Sequence, residues 1–227
     1  MPVHRQSMRD QVRETLLRQI GAGQLLPGTR LLETRIAEEL GVSPIPVREA
    51  IRELAAMGVV ESATHRGAWV REVRLSETLD ALEVKAGLEA EAARKAARAL
   101  RGQGQELRGI VADMVAAAAK LDFVAFQQFN QAFHRRIVEA GGNQVLLRVW
   151  DSLGFEVRTR AVMDYFQRAD AVAIAKEHER IVDALDGGRA AEAARLLRSH
   201  ALDLVRYLEG IGEKSKRSTA ASTRAMR

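Results

Sequence analysis

The chain has 227 residues, 35 Lys and Arg against 30 Asp and Glu, and a net charge of +5 at pH 7. Its length predicts one or two domains, and the absence of cysteine excludes a disulfide framework and thiol chemistry. Because no run of 18 apolar residues occurs, we expect no transmembrane helix and a soluble, cytoplasmic protein.

The positive charge is concentrated at the C-terminus. The net charge is +2 over residues 1–75, −1 over 76–210 and +4 over 211–227. The last segment has no apolar periodicity, so we expect a disordered basic tail over 211–227. The positive net charge is therefore weak evidence for nucleic-acid binding, and the positions of individual arginines are stronger evidence.

Residues 1–72 have the pattern of a winged helix-turn-helix. An amphipathic helix over about 7–21 is followed by a short helix that Gly41 ends, since glycine accepts positive φ there. A second helix starts almost at once, with Ser43 as its N-cap and two prolines in its first turn. The segment 59–70 then predicts two short strands around a basic turn. In such a fold the second helix enters the major groove of DNA.

We expect the DNA-contacting residues to lie on these elements. Arg48 and Arg52 are one turn apart on the polar face of the second helix, and arginine suits bidentate contact with phosphate or guanine. The alternative is a helical domain with solvated arginines. The candidate residues are Arg35, Ser43, Arg48, Arg52, His65, Arg66 and Gly67.

This segment resembles the DNA-binding domain of the GntR family of bacterial transcription regulators. The match includes a Gly-x-Leu-x-Pro-Gly-x-x-Leu turn at 23–31 and the run Pro-Val-Arg-Glu-Ala at 46–50. Many members carry Arg where this chain has Pro44, which implies that one DNA contact is absent. The resemblance implies a homodimer that binds a pseudo-palindromic, double-stranded operator, and we expect a repressor.

From Ser76 the sequence becomes Ala-rich and helical, without a proline after Pro46. After a linker at 73–76, short breaks within 77–210 predict an all-helical antiparallel bundle. The predicted helices span 76–101, 105–120, 122–140, 143–167, 170–186 and 189–209. The predicted fold class is therefore mainly α.

Three histidines in this bundle border apolar stripes. His134, His178 and His200 lie on three predicted helices, and Asn130 is one turn before His134 on the same face. Converging imidazoles could bind a divalent transition metal. Taken singly, each histidine is more often a satisfied core or boundary residue.

The second half resembles the FCD effector domain of FadR-type regulators, in which many members hold a metal through Asp-x-x-x-His and two later histidines. The resemblance implies that Asn130, His134, His178 and His200 bind a divalent ion such as zinc, nickel or manganese. Asn130 replaces the aspartate with a weaker, neutral ligand. Lys85 occupies the place of a common arginine and is expected to contact a carboxylate effector, although Glu89 could simply pair with it.

We therefore expect a DNA-binding regulator controlled by a small organic acid bound with a metal, without membrane association. A dedicated metal sensor is one alternative. A metal-dependent enzyme fused to a DNA-binding domain is another, but it would need a general base near the metal. No nucleophile-base pair at motif spacing is apparent, so we expect no enzymatic activity.

Overall fold

The computed structural model describes residues 7–63, 66–155 and 170–225, and only the backbone for 211–225. The described residues form two compact units. The first unit contains residues up to Val73 together with 151–155, and the second contains Arg74–Trp150 and the residues from 170 onward. Within the described ranges, no helix is long and apolar enough to cross a membrane.

The first unit consists of three helices and a small sheet. In chain order, its elements are α1 (Met8–Gly21), β1 (Arg30–Leu31), α2 (Glu33–Leu40), α3 (Pro44–Ala56), β2 (Val60–Ala63) and β3 (Gly67–Val70). One apolar cluster holds them together and includes Leu16 from α1 and Leu54 from α3. The sequence-predicted winged helix-turn-helix is confirmed.

The turn between α2 and α3 is formed by Gly41, Val42 and Ser43. Gly41 has φ of 65° and its N–H bonds to the last carbonyls of α2. A side chain with a Cβ is strained in this left-handed conformation, so glycine fixes the turn. The turn sends α3 away from α2 with its buried residues Val47 and Leu54 facing the core.

The wing is a three-stranded antiparallel sheet in the order β1-β3-β2. Trp69 of β3 pairs with Arg30 of β1 and with Glu61 of β2. The sequence predicted the β2–β3 hairpin but not β1, because two residues are too few to show alternation. Gly67 has φ of 85°, and the Arg30 guanidinium lies 3.4 Å from where its Cβ would be.

The second unit is all-helical in its described residues. Its elements are α4 (Leu75–Ala99), α5 (Gln105–Ala119), α6 (Phe123–Ala140), α7 (Gln144–Ser152), α8 (Ala171–Asp186) and α9 (Ala190–Ala225). Residues 151 and 152, the last two of α7, belong to the first unit. Helix α4 packs along α9, and α5 packs against both α6 and α8. Large fully buried side chains such as Phe133, Met114 and Leu197 form the core.

Two predicted segments differ from the structure. The predicted helix 143–167 stops at Ser152, and Gly154 adopts a left-handed φ of 59° that a continuing helix cannot contain. Residues 156–167 of that prediction lie outside the described ranges. The tail was expected to be disordered, whereas the backbone of α9 continues to Ala225. Ala, Lys, Arg and Glu are good helix formers, and extending an existing helix needs no new nucleus.

Candidate DNA-binding surface and buried histidine cluster

Helix α3 separates an apolar side from an exposed side. Val47, Ala50, Ile51 and Leu54 are buried, whereas Arg48 and Arg52 are exposed. Nε of Arg48 donates to Oε2 of Glu33 at 2.8 Å, which joins the starts of α2 and α3 on the surface. Because this ion pair is exposed, it is weak, and a phosphate or guanine can replace the glutamate.

Ser43 is the N-cap residue of α3, but its side chain accepts no capping hydrogen bond. A capping oxygen accepts from the N–H of the second or third helical residue. The third residue here is Pro46, which has no N–H. Ser43 is exposed at the start of α3.

The other predicted DNA contacts are divided between α2 and the wing. Arg35 is exposed and bonds to Glu39 one turn later, at 2.8 Å. In the wing, the Arg30 guanidinium donates to the carbonyl of Arg66 at 3.0 Å and thereby supports the turn before Gly67. His65 lies outside the described residues.

The structure brings the three predicted histidines together in the second unit. One ring nitrogen each of His134, His178 and His200 lies within 4.8 Å of the other two. His134 and His178 are buried, with 2% and 0% of their surface exposed, and His200 is half-buried. The rings come from α6, α8 and α9, so the cluster exists only in the packed bundle.

The hydrogen bonds of His178 define which nitrogen carries its proton. Nδ1 faces the carbonyl oxygens of Ile174 and Ala175 at 3.0 and 3.2 Å, so Nδ1 is the donor. Burial, followed by the two neighbouring histidines, holds the pKa of His178 well below its usual 6.5. The ring is therefore neutral at pH 7, and Nε2 presents a lone pair toward the cluster.

Asn130 also faces this lone pair. Its Oδ1 lies 3.1 Å from Nε2 of His178, and a carbonyl oxygen and an unprotonated nitrogen do not bond to each other. A flip of the Asn130 amide by about 180° exchanges the positions of its oxygen and nitrogen, which have nearly the same shape. The amide N–H would then donate to Nε2. As the atoms are placed, both are acceptors 3.1 Å apart, and a cation bound by both would satisfy them.

A buried carboxylate connects this cluster to α4 and α7. Oε2 of Glu89 lies 2.9 Å from Nδ1 of His134, at an ion-pair distance without an aligned hydrogen bond. The other oxygen of Glu89 contacts Nζ of Lys85 at 2.6 Å and accepts from Nε1 of Trp150 at 2.9 Å. The predicted effector residue Lys85 is thus paired with Glu89 and belongs to the same buried network.

The charges in this network are set by burial and by the ion pair. Burial lowers the pKa of His134 to about 4, although Glu89 opposes that shift. Burial alone would raise the pKa of Glu89, but His134 and Lys85 outweigh it and hold the pKa well below its usual value. At pH 7 the carboxyl group of Glu89 is therefore ionised, and the imidazoles of His134 and His178 are neutral.

These residues fit a divalent transition metal. Neutral imidazoles and an amide oxygen are suitable ligands, and Glu89 lies where a carboxylate would orient a metal-binding histidine. Two ligands of a tetrahedral zinc ion are about 3.4 Å apart, since each bond is about 2.1 Å. The ring nitrogens of the cluster lie within 4.8 Å of one another, so the widest pair would have to close by up to about 1.4 Å to bind one ion.

The sequence did not indicate that Glu89 contacts His134 and Trp150. The spacing of Lys85 and Glu89 on one helix predicted their pairing correctly. The two other contacts join residues far apart in the chain, such as Glu89 and Trp150, which are 61 positions apart. Trp150 is itself buried.

A winged helix-turn-helix attached to a helical bundle with a buried polar cluster defines the protein class as a DNA-binding transcription regulator. Residues 8–70 match the family of bacterial regulatory proteins called the gntR family, and residues 80–203 match the FCD domain. The chain therefore belongs to the GntR family and carries an FCD domain.

Curated relatives agree with this membership. A protein of Paenarthrobacter nicotinovorans, described as a probable D-xylose utilization operon transcriptional repressor, is 37% identical over 86% of each chain. The regulator LutR of Bacillus subtilis is 28% identical, over 85% of this chain and 97% of its own. These relatives are transcription regulators and not enzymes.

Solved structures show the same fold. McbR of Escherichia coli superposes with a TM-score of 0.78 at 22% identity, over 90% of this chain and 98% of its own. A GntR regulator of Rhodococcus sp. RHA1 gives a TM-score of 0.69 at 22% identity, over 90% and 99%.

Proposed function

We propose that this regulator is a homodimeric repressor whose operator affinity is controlled by a small carboxylate bound with a divalent metal in the FCD domain. The observation that carries the proposal is the convergence of His134, His178, His200 and Asn130 from three helices. Zinc, nickel and manganese are the candidate ions. As a chromosomal DNA-binding protein, it would act in the cytoplasm.

The charge of the site favours an anionic effector. An imidazole or an amide binds a metal in its neutral form, and Lys85 and Glu89 form an ion pair whose net charge is zero. A divalent ion would add two uncompensated positive charges to a mostly buried site, which is unfavourable without a counter-charge. A carboxylate would supply that charge and occupy a coordination position that the protein leaves open.

Lys85 can contribute to effector binding without leaving Glu89. An ammonium group has three N–H donors, so it can hold Glu89 and still donate to a carboxylate. The buried position of Lys85, with 6% of its surface exposed, makes such a hydrogen bond stronger than one in water.

On the DNA side, the proposed contacts are those predicted from the sequence. Arg48 and Arg52 would contact base edges from α3, and Arg35, Ser43 and the wing residues His65, Arg66 and Gly67 would contact phosphates or the adjacent minor groove. Phosphate contacts fix the register of the protein, whereas base contacts give sequence preference. Symmetric recognition helices would require a pseudo-palindromic operator. The effector would shift operator affinity by about 1–3 kcal/mol, a typical coupling energy.

The test begins with elemental analysis of the untagged full-length chain after incubation with zinc, nickel or manganese and gel filtration. Wild type should retain about one ion per chain, and the His134→Ala, His178→Ala and His200→Ala variants should lose most of it. Binding to a duplex selected from a random library is then measured with each metal, with D-xylonate and with D-xylose. D-xylonate and D-xylose are an acid and its neutral sugar. They are chosen because the Paenarthrobacter nicotinovorans relative is described as a D-xylose utilization repressor.

Release of DNA by the acid and metal together, without release by the sugar, supports the proposal. Release by the metal alone would indicate a dedicated metal sensor instead. A wild-type chain that retains no metal under any of these conditions would contradict the metal-assisted site and leave the histidines as the lining of a metal-free pocket.

A further inference from the structure

The exposed side of the recognition helix contains one large apolar side chain. Ile45 is the second residue of α3 and has 66% of its surface exposed. Among the described residues, only Leu121 is a more exposed large hydrophobic side chain, at 71%. A single exposed aliphatic side chain is ordinary, so exposure alone indicates no function for Ile45. Its position on the helix is the informative feature.

Ile45 lies on the same face of α3 as the two arginines. It precedes Arg48 by three residues and Arg52 by seven, which are nearly whole turns of an α-helix. The buried residues of α3, such as Val47 and Leu54, lie on the other side. A helix that inserts Arg48 and Arg52 into a major groove therefore inserts Ile45 as well, at its N-terminal end.

The first turn of α3 is unusually poor in hydrogen-bond donors. Pro44 and Pro46 flank Ile45 and have no N–H groups, and none of the three side chains has a polar atom. Ile45 lines a groove together with Met8 and Arg9 at the start of α1, and within the described residues its side chain is mostly exposed. The side chains of residues 44–46 can therefore contact a base edge only through apolar groups.

The major groove offers one apolar group, the C5-methyl of thymine. We propose that Ile45 is a specificity-determining residue that packs against a thymine methyl in each operator half-site. The inference rests on the recognition face proposed above. It adds a base preference that the arginines do not supply, since Arg selects guanine through hydrogen bonds.

The experiment replaces thymine by deoxyuridine, which lacks only the methyl group. A duplex is selected from a random library by the full-length wild-type chain, and each thymine of one half-site is then replaced in turn. At one or two positions, deoxyuridine should weaken wild-type binding by about fourfold, the value of one buried methyl group. Binding is measured by fluorescence anisotropy at fixed salt.

The variant Ile45→Ala should bind the parent duplex more weakly and show no further loss at those same positions. Ile45→Val, which keeps a branched side chain, should have intermediate sensitivity. Val145→Ala is the matched control, because Val145 is similarly exposed, at 62%, but belongs to α7. Thermal melting should be unchanged for all three, since alanine and valine are tolerated on an exposed helix surface.

Two outcomes separate this inference from the proposal on which it rests. If Arg48→Ala weakens binding while Ile45→Ala keeps both the wild-type affinity and its deoxyuridine profile, the role of Ile45 is overturned and the recognition face stands. If neither variant changes the affinity, the recognition face itself is wrong, and the role of Ile45 fails with it.

Discussion

Nζ of Lys85 lies 2.6 Å from Oε1 of Glu89, one turn later on α4, and both side chains are buried. Removing either partner takes the opposite charge away from a buried ionised group, which costs about 3–5 kcal/mol. We therefore expect Glu89→Gln and Lys85→Met each to be strongly destabilising in urea denaturation. The double variant should lose much less than the sum.

The control for this cycle is the exposed pair Glu91–Arg94 on the same helix, with its atoms 3.3 Å apart. Neutralising it should change stability by less than about 1 kcal/mol, because exposed ion pairs contribute little. Additive losses at Lys85 and Glu89 would mean that the two charges are not coupled.

The buried histidines predict a pH dependence for the metal-free protein. Burial lowers the pKa of His134 to about 4, from an ordinary value of 6.5, so the unfolded chain binds the proton more tightly. The contribution of neutral His134 to the free energy of unfolding is fully present above about pH 6.5. It declines as the pH falls toward 4, by an amount on the order of 3 kcal/mol.

Thermal midpoints of chelator-treated protein between pH 7.5 and 4.5 measure this effect. The glutamine of His134→Gln cannot be protonated, so the thermal midpoint of this variant should fall less steeply as the pH is lowered. Protonation of His178 should cause most of the remaining fall. The depressed pKa of Glu89 acts mainly below this window, since an ordinary glutamate titrates near 4.5. A midpoint that is independent of pH in wild type would contradict neutral, buried histidines.

Asn130→Asp should tighten metal binding and reduce its dependence on an anion. The aspartate would supply a negatively charged oxygen next to Nε2 of His178, where the amide oxygen now lies at 3.1 Å. Titration with zinc, with and without D-xylonate, compares the two proteins. Asn143→Asp makes the same chemical change at a position that caps α7, and it should leave metal binding unchanged. A weaker affinity in Asn130→Asp would exclude residue 130 as a ligand.

Gly104 begins α5 in close contact with α8. A Cβ at this position would lie 2.8 Å from Cγ of Asp186, whose carboxylate also accepts the Gly104 N–H at 2.9 Å. Gly104→Ala should therefore destabilise the protein by about 1–3 kcal/mol, as overpacking does. The comparison is Gly109→Ala within α5, where nothing lies within 4 Å and alanine should stabilise by about 0.5–1 kcal/mol.

Arg48→Ala should weaken binding to the selected duplex by about 1–3 kcal/mol and relax sequence preference, because Arg48 lies on the exposed face of α3. Folding should be unaffected, since only the exposed contact with Glu33 is lost. Arg94→Ala, an exposed arginine of the bundle, provides the control. Equal affinity of wild type and Arg48→Ala would exclude α3 as the recognition helix.

Local signals in the sequence determined the winged helix-turn-helix and most of the helices. Gly41 and Ser43 fix the ends of α2 and α3 through backbone conformation within one turn, so no distant contact is needed. The spacing of Lys85 and Glu89 predicts their pairing for the same reason. Apolar periodicity likewise placed α5, α6 and α8 within a few residues of their observed limits.

Only the tertiary structure decided how the site is connected. Glu89 contacts His134 and Trp150, and Asn130 contacts His178 although they are 48 positions apart, because the packing of separate helices sets those distances. The two-residue strand β1 and the end of α7 at Ser152 also depend on packing and on a single glycine conformation. Periodicity reports which face of a helix is buried, whereas the partner on that face is chosen by how the helices pack together.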